Sequence, residues 1–463
     1  MLSLLFNLWR LLYVVSKQQI LIYPGAIKLP RRLKAIGWLI TIVIYPINLF
    51  KKPSLDFGLR LANCFKELGP IYIKLGQTLS TRPDLVGDRI AKYLQLLQDK
   101  LPSFDSKIVR QILQAAFKEN IDELFSSFDD IPVAAASIAQ VHKATLTSGE
   151  LVAVKILRPG IHHTYNRDIT FLYYIAKLLI KLSWKFQRLQ PVAVIDVFKI
   201  AMRFELDLRL EAAAASELAD NFQNDQDLYI PKIYWQLTQE NILTTEWIDG
   251  ISIYDQVKLR ECNIDTKKVA QKFATIFFNQ VYRDGFFHAD LHPGNILVKP
   301  NGSIVLLDFG IMGRLPDKDR LAIAESLFGF FTKNYRLVAL VHLRSGYIPQ
   351  HTNLDHFAQK CRAVTSPLLD QGIHNIAIGS LLGQLFKITE DFGMEVQPQL
   401  LLLQKTIVVV EGVGQHLDPT INIWQLIEPW IKKWAAKNIS FEAKMLRILK
   451  HSINGILEKI NRE

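Results

Sequence analysis

Cysteine is scarce in this chain: Cys64, Cys262 and Cys361 are the three among 463 residues, far apart and with no C-x-x-C pair. That spacing excludes a disulfide framework and a cysteine zinc site, and it fits a reducing compartment. Long hydrophobic runs are missing too. Residues 35–50 are sixteen uncharged residues interrupted by Pro46 and Asn48, whereas a transmembrane helix needs about 20 apolar residues. Acid is nearly absent from the first 60 residues, where nine Lys/Arg stand against Asp56 alone. One-sided charge of this kind points to an anionic partner surface, and its interleaving with aliphatic stretches favours lipid over nucleic acid. Trp38 and Tyr45, flanked by Arg31, Arg32, Lys34, Lys51 and Lys52, suit an interface where rings and cations both find partners. Residues 1–54 are therefore expected to lie on a membrane without crossing it; a core helix with a solvated basic flank is the plainer alternative. Arg10 interrupts the first apolar stretch and no clean cleavage site follows, so a signal peptide is not expected.

What is present is a chain that is 49% hydrophobic with ordinary Gly and Pro, enough for a large core in one big or two coupled units. Residues 55–130 carry helical periodicity, with breaks at Pro102-Ser103 and at 125–130. The texture then turns β-like: Val141 to Ala144 and Leu151 to Ile156 read as strands joined by Thr147-Ser148-Gly149-Glu150. Residues 162–222 look helical, a strand pair is expected near 230–235 and 242–248, and beyond Ile251 the pattern is helical apart from one passage. The alanine-rich stretch 134–139 reads equally as helix or as loop. At the carboxyl end Leu446, Leu449, Ile453, Ile456 and Ile460 recur at helical steps beside basic residues, an amphipathic helix suited to packing or to lipid.

The exceptional passage is His288-Ala289-Asp290-Leu291-His292-Pro293-Gly294-Asn295, followed by Ile304 to Gly310 with Asp308-Phe309-Gly310 at its end. Asp290, Asn295 and Asp308 reproduce the H-x-D-x-x-x-x-N … D-F-G spacing of phosphoryl-transfer centres. Its chemistry asks for one carboxylate to orient an attacking hydroxyl or water, and for an amide and a second carboxylate to hold magnesium against a triphosphate. A second tripeptide, Asp391-Phe392-Gly393, lacks the upstream motif and reads as structural. Val152-Ala153-Val154-Lys155 is a strand ending on a lysine suited to α- and β-phosphates. Glu205, Asp207 and Glu211 downstream cannot share one helix face, and Glu205 is taken as the lysine's partner ahead of Glu211. The expected glycine-rich phosphate loop is replaced by Ala134-Ala135-Ala136-Ser137, whose Cβ atoms deny glycine's freedom. Alanine at 289 removes the arginine that reads a phosphorylated activation loop, and no A-P-E element follows Gly310, which argues against ordinary protein phosphorylation. The histidines His162, His163, His342, His351 and His451 have no partners at metal-ligand spacing.

In that order, Lys74-Leu75-Gly76-Gln77, the alanine-rich loop, the Val-Ala-Val-Lys strand, Glu205-x-Asp207 and the His288–Asn295 passage resemble the UbiB/AarF/ADCK atypical kinase-like family over residues 60–310. Further similarity runs through Val410-Glu411-Gly412-Val413 and Leu417-Asp418-Pro419. The resemblance implies an α+β, bilobal protein-kinase-like fold: a small β-containing N-lobe (131–250), a largely helical C-lobe (251–463) and a helical extension (55–130) draped over the active site. It implies an atypical kinase or ATPase using ATP and Mg²⁺ to support ubiquinone biosynthesis, peripheral to the cytoplasmic face of a bacterial inner membrane, or to a mitochondrial or plastid membrane. Quinone-pathway lipids or proteins are the implied partners. Lys155, Glu205 and Asp290 take the catalytic positions, and Asn295 and Asp308 the metal. Ala135, Ala136, Ser137, Lys155, Glu246 and Ile248 fall on the nucleotide side, with Thr245 on the same strand, while Lys74 and Gln77 fall in the blocked substrate channel. Lys74 is expected to compete for acidic groups and restrain turnover. A small-molecule phosphotransferase of the aminoglycoside- or choline-kinase kind shares H-x-D-x-x-P-x-N but lacks the K-x-G-Q extension; a scaffold without turnover is the third alternative.

Overall fold

The computed structural model describes residues 2–20, 22–23, 31–46, 53, 55–80, 86–97, 102–182, 191–369, 378–393 and 397–421. The chain divides into two compact units, Met1–Ala213 with Lys232–Trp247, and Ala214–Pro231 with Ile248–Glu463. The carboxyl-terminal amphipathic stretch and Lys28, Lys51 and Lys52 lie outside the described residues.

The first unit is built on an antiparallel sheet of β1 (Phe125–Phe128), β3 (Ala139–Leu146), β4 (Leu151–Leu157) and β6 (Ile242–Glu246), with β2 (Ala134–Ala135) on the side of β3; β5 (Leu228–Tyr229) belongs to the second unit. Strand period explains β4: Val152, Val154 and Ile156 are fully buried, while Ala153 and Lys155 take the opposite, partly open face. Register places Lys155 opposite Val141 and Leu243.

Helices that precede the sheet in the chain include α1 (Leu2–Lys17), α2 (Arg31–Ile44), α3 (Phe57–Leu68) and α4 (Pro70–Ser80). Asp56 starts α3 by accepting from the Gly58 N–H at 2.9 Å. Gly69, at φ +102°, stops it, and Pro70 opens α4. Arg60 of α3 is buried, and its guanidinium donates to the carbonyls of Leu55, Gln18, Gln19 and Tyr23 at 2.6–3.2 Å. Ile71 and Leu75 of α4 enter the core with Ile138, Phe198, Met202 and Leu243. On α1 and α2, by contrast, Phe6, Trp9, Trp38, Leu39 and Val43 are exposed.

In the second unit β5, β10 (Ile304–Leu306), β9 (Ile296–Val298) and β7 (Ile251–Ser252) form one sheet, with β5 parallel to β10, and β8 (Phe286–His288) pairs with β11 (Met312–Arg314). The longer helices described in this unit include Thr266–Phe278, Asp317–Phe331, Tyr335–Arg344, Leu354–Leu369, Ile378–Asp391 and Pro398–Leu417.

Two sequence expectations are made specific and two are corrected. The break in helical periodicity at 125–130 is the sheet's first strand, with Phe125 buried against Val109 and Leu113. The alanine-rich stretch is a two-residue strand and a tight turn, the Ala136 N–H donating to the Ala139 carbonyl at 2.8 Å. Around residue 233 only an isolated bridge to Thr245 forms, followed by a 3₁₀ turn at Trp235–Leu237. Residues 214–231 group with the second unit, since β5 pairs with β10.

Candidate active site

The first unit gathers the lysine cluster. Lys155 Nζ lies 2.8 and 2.9 Å from the two carboxylate oxygens of Glu211, which is 6% exposed. Glu205, the expected partner, instead meets Lys74 Nζ at 2.8 Å, with both side chains about 15% exposed. The reason is a helix break. The helix Pro191–Glu205 ends on Glu205, and a new helix, Leu208–Asn221, begins after Leu206 and Asp207 and carries Glu211. Asp207 is held by the Arg209 fork at 2.8 Å through each arm, which keeps its carboxyl below the usual range. The two lysines therefore divide the two glutamates between them.

Elsewhere in the K-x-G-Q motif, glycine is required by packing: a Cβ on Gly76 would stand 2.3 Å from Leu97 Cδ1 and 2.6 Å from the Phe65 ring. Gln77 donates to the Leu97 carbonyl at 3.1 Å, so it fastens α4 rather than reaching an acidic group. The alanine-rich turn is pinned by Arg158, which donates to the Ala136 carbonyl through Nε (3.2 Å) and Nη2 (2.8 Å) and to the Pro102 carbonyl at 2.8 Å. Ala135 faces Gln140 in register. Ser137, expected on the nucleotide side, is fully buried. Glu246 ends β6, where its carboxylate accepts from the Lys232 N–H at 3.2 Å, and Ile248 is half-buried beyond it.

The second unit holds the catalytic loop. β9 and β10 form a hairpin with Ile296 opposite Leu306, so Asn295 and Asp308 emerge at the same end; the Leu307 N–H donates to the Asn295 carbonyl at 2.8 Å. Asn295 is buried and its Nδ2 donates to the Asp290 carbonyl at 3.1 Å, which leaves Oδ1 as the atom suited to a cation. Asp308 sits at φ +55°, a left-handed conformation uncommon for a side chain with a Cβ and concentrated at functional positions. His288 ties the loop together: its Nδ1 accepts from the Asp290 N–H at 3.2 Å and its Nε2–H donates to the Leu307 carbonyl at 3.1 Å. Complete burial lowers its pKa and keeps the imidazole neutral, as that tautomer requires. Gln280, in a π-turn, accepts from the His288 N–H at 2.8 Å.

Asp290 is about one-third exposed. Lys405 Nζ stands 3.7 Å from its Oδ1 and His292 Nε2 3.9 Å from its Oδ2. Gln280, Arg158 and Lys405 were missed by the sequence reading. Lys405 left a signal, as the one charged residue between Pro398 and Val410. The second D-F-G is structural: Asp391 pairs with Lys360 at 3.2 Å, and the Phe392 ring packs 5.0 Å from that of Phe357. His342 is a core residue bonded to the Val338 carbonyl at 2.8 Å, and no three His, Cys, Asp or Glu cluster as metal ligands among the described residues.

The family model for the ABC1 atypical kinase-like domain matches residues 96–342, and that for the UbiB helical domain matches residues 361–422. A protein of Marinobacter nauticus described as a probable protein kinase UbiB is 39% identical over 457 residues, spanning 98% of this chain and 82% of the relative. Another of the same description from Pseudomonas fluorescens is 41% identical over 404 residues, 86% of this chain and 76% of the relative. Among solved structures, Rv3197 of Mycobacterium tuberculosis in complex with erythromycin covers 76% of this chain and 90% of its own at 23% identity and a TM-score of 0.51, a likeness of fold. By these matches and by its kinase-like fold, the chain belongs to the UbiB family of ABC1 atypical kinase-like proteins.

Proposed function

We propose that the chain is an atypical kinase or ATPase that uses Mg-ATP at a membrane surface in support of ubiquinone biosynthesis, the process to which the names of its relatives refer. The observation that carries the phosphoryl-transfer reading is the hairpin end that brings Asn295 and Asp308 together, with Asn295 also bonded to the Asp290 backbone. Two hard oxygen donors without a further protein cage suit Mg²⁺, which keeps waters and phosphate oxygens in its shell. When bound, the cation neutralises phosphate charge. Asp290 orients the attacking hydroxyl or water and takes its proton. Lys155, fixed by Glu211, neutralises the α- and β-phosphates. The Lys74–Glu205 pair and the Arg158-pinned alanine turn restrain the chain in this state. Lipid contact is supported by the exposed Phe6, Trp9, Trp38, Leu39 and Val43 beside basic residues; among the described residues no helix is long and apolar enough to cross a membrane.

The test is nucleotide-induced stabilisation with and without magnesium. Parent protein at a hundredfold excess over Kd gains about 2.7 kcal/mol, and Asp308→Asn loses the magnesium-dependent part. Stabilisation that survives the substitution undiminished removes Asp308 from the metal site.

A further inference from the structure

Lys405 is placed where stability gives no reason for it. It is the one charge on the first turns of a helix, Pro398–Leu417, whose neighbouring residues Leu400, Leu403, Thr406, Ile407 and Val410 are buried. The adjacent Thr406 hydroxyl lies 3.5 Å from the Ala289 carbonyl, in the catalytic loop itself. From there the ammonium reaches the Asp290 carboxylate at 3.7 Å, with the two side chains 36% and 32% exposed. A half-open pair at that distance contributes only about 0–1 kcal/mol to folding. His292, the other group near Asp290, accepts from the Gly294 N–H at 3.0 Å through Nδ1 and so is committed to its own turn.

We propose that Lys405 is a catalytic residue of the phosphoryl-transfer centre, supplied by the helical segment that follows the kinase-like domain, and that it binds the oxygens of the phosphoryl group in flight. This rests on the Mg-ATP reading above. If Asp290 accepts the proton of the attacking hydroxyl or water, it lies within hydrogen-bond distance of the oxygen that becomes bonded to phosphorus. A cation in contact with Asp290, on a flexible four-carbon stem, then reaches the equatorial phosphoryl oxygens by a small swing. In the step the acceptor oxygen forms its bond to phosphorus, the bond from phosphorus to the β-phosphate oxygen of ADP breaks with its electron pair leaving on ADP, and the acceptor proton passes to Asp290. Lys405 takes no part in the proton transfer: without nucleotide its ammonium rests on Asp290, and during transfer it neutralises charge spread over the phosphoryl group.

The experiment compares the full chain with Lys405→Met and Lys405→Arg in steady-state ATP hydrolysis. The expected result is a fall in kcat of about 10- to 100-fold for Lys405→Met with KM for ATP little changed, most of the rate retained by Lys405→Arg, and partial rescue of Lys405→Met by added ethylammonium. A Met variant with the parental kcat overturns the proposal, and so does an Arg variant as slow as the Met variant. Binding of Mg-ADP with and without aluminium fluoride tests the same contact without turnover. Lys405→Met should weaken the fluoride complex and leave ADP alone; equal affinities for parent and variant refute the phosphoryl contact while sparing the ATP reading. A parent that binds no nucleotide sinks the ATP reading and the inference with it.

Discussion

Crossed double-mutant cycles test the division of two lysines between two glutamates. The perturbations are Lys155→Met, Lys74→Met, Glu211→Gln and Glu205→Gln, each close in volume to the residue it replaces. With Lys74 Nζ at 2.8 Å from Glu205 Oε2 and Lys155 Nζ at 2.8 Å from Glu211 Oε1, Coulomb attraction at an effective dielectric of about 20 is roughly 6 kcal/mol per pair. Desolvation of side chains this deeply placed cancels most of it, and a measured coupling of about 1–3 kcal/mol is expected within each pair. The crossed combinations, Lys155 with Glu205 and Lys74 with Glu211, should couple more weakly than either direct pair. Urea unfolding of the singles and doubles supplies the numbers, and added salt should reduce the couplings only slightly because the groups are partly shielded. Nucleotide binding gives a second readout: Lys155→Met should lose affinity, whereas Lys74→Met should keep it and raise turnover as Glu205 is released. A Lys155–Glu205 coupling as large as the Lys155–Glu211 coupling would falsify the assignment.

Three further outcomes follow from other parts of the chain. Arg158→Ala frees the Ala136 and Pro102 carbonyls, costs about 1.5–3 kcal/mol as charged hydrogen bonds are lost, and should alter nucleotide Kd; an unchanged Kd assigns the alanine turn to packing alone. Reversing the charge of Arg31, Arg32 and Lys34 should weaken binding to anionic vesicles by at least about a hundredfold, at about 1 kcal/mol per basic residue; binding indifferent to reversal and to ionic strength rules out an electrostatic attachment. Burial lowers His342 from its ordinary value to about 4, so its neutral form is the folded form. The unfolded chain takes up that proton first as pH drops below 6.5, and stability falls by roughly 3 kcal/mol between there and pH 4; His342→Gln should flatten that part of the parent's pH–stability curve, a difference absent if the ring titrates normally.

What the sequence disclosed was chemistry held within short spans. The Asp290–Asn295 loop and Asp308 belong to one loop and hairpin, so spacing alone brought them together, and the period-2 pattern of Val152, Val154 and Ile156 set the face of Lys155. The partner of Lys155 was hidden because the stretch 204–211 reads as one helix, while Leu206 and Asp207 break it and send Glu205 and Glu211 to different lysines. Lys405 was hidden for the opposite reason: it is distant in sequence, and only the packing of Thr406 near Ala289 carries it to Asp290. The role of Gln280 depends on a π-turn that no residue pattern announces.

Arg60 has a bearing on how the amino-terminal part of the protein can be handled. Its guanidinium donates to carbonyls that include those of Gln18, Gln19 and Tyr23, in the segment that follows α1. Trimming the chain to begin at α3 would remove these acceptors together, leave the Arg60 donors to water, and strip Leu11, Val14 and Val15 from the cluster they form with Cys64, Leu68 and Tyr72. A shortened protein designed to discard the exposed aromatic residues of α1 and α2 would thus disturb α3 and, through it, the α4 helix that carries Lys74. Replacing Phe6, Trp9, Trp38 and Val43 with polar residues in the intact chain removes the greasy surface while leaving that anchor in place.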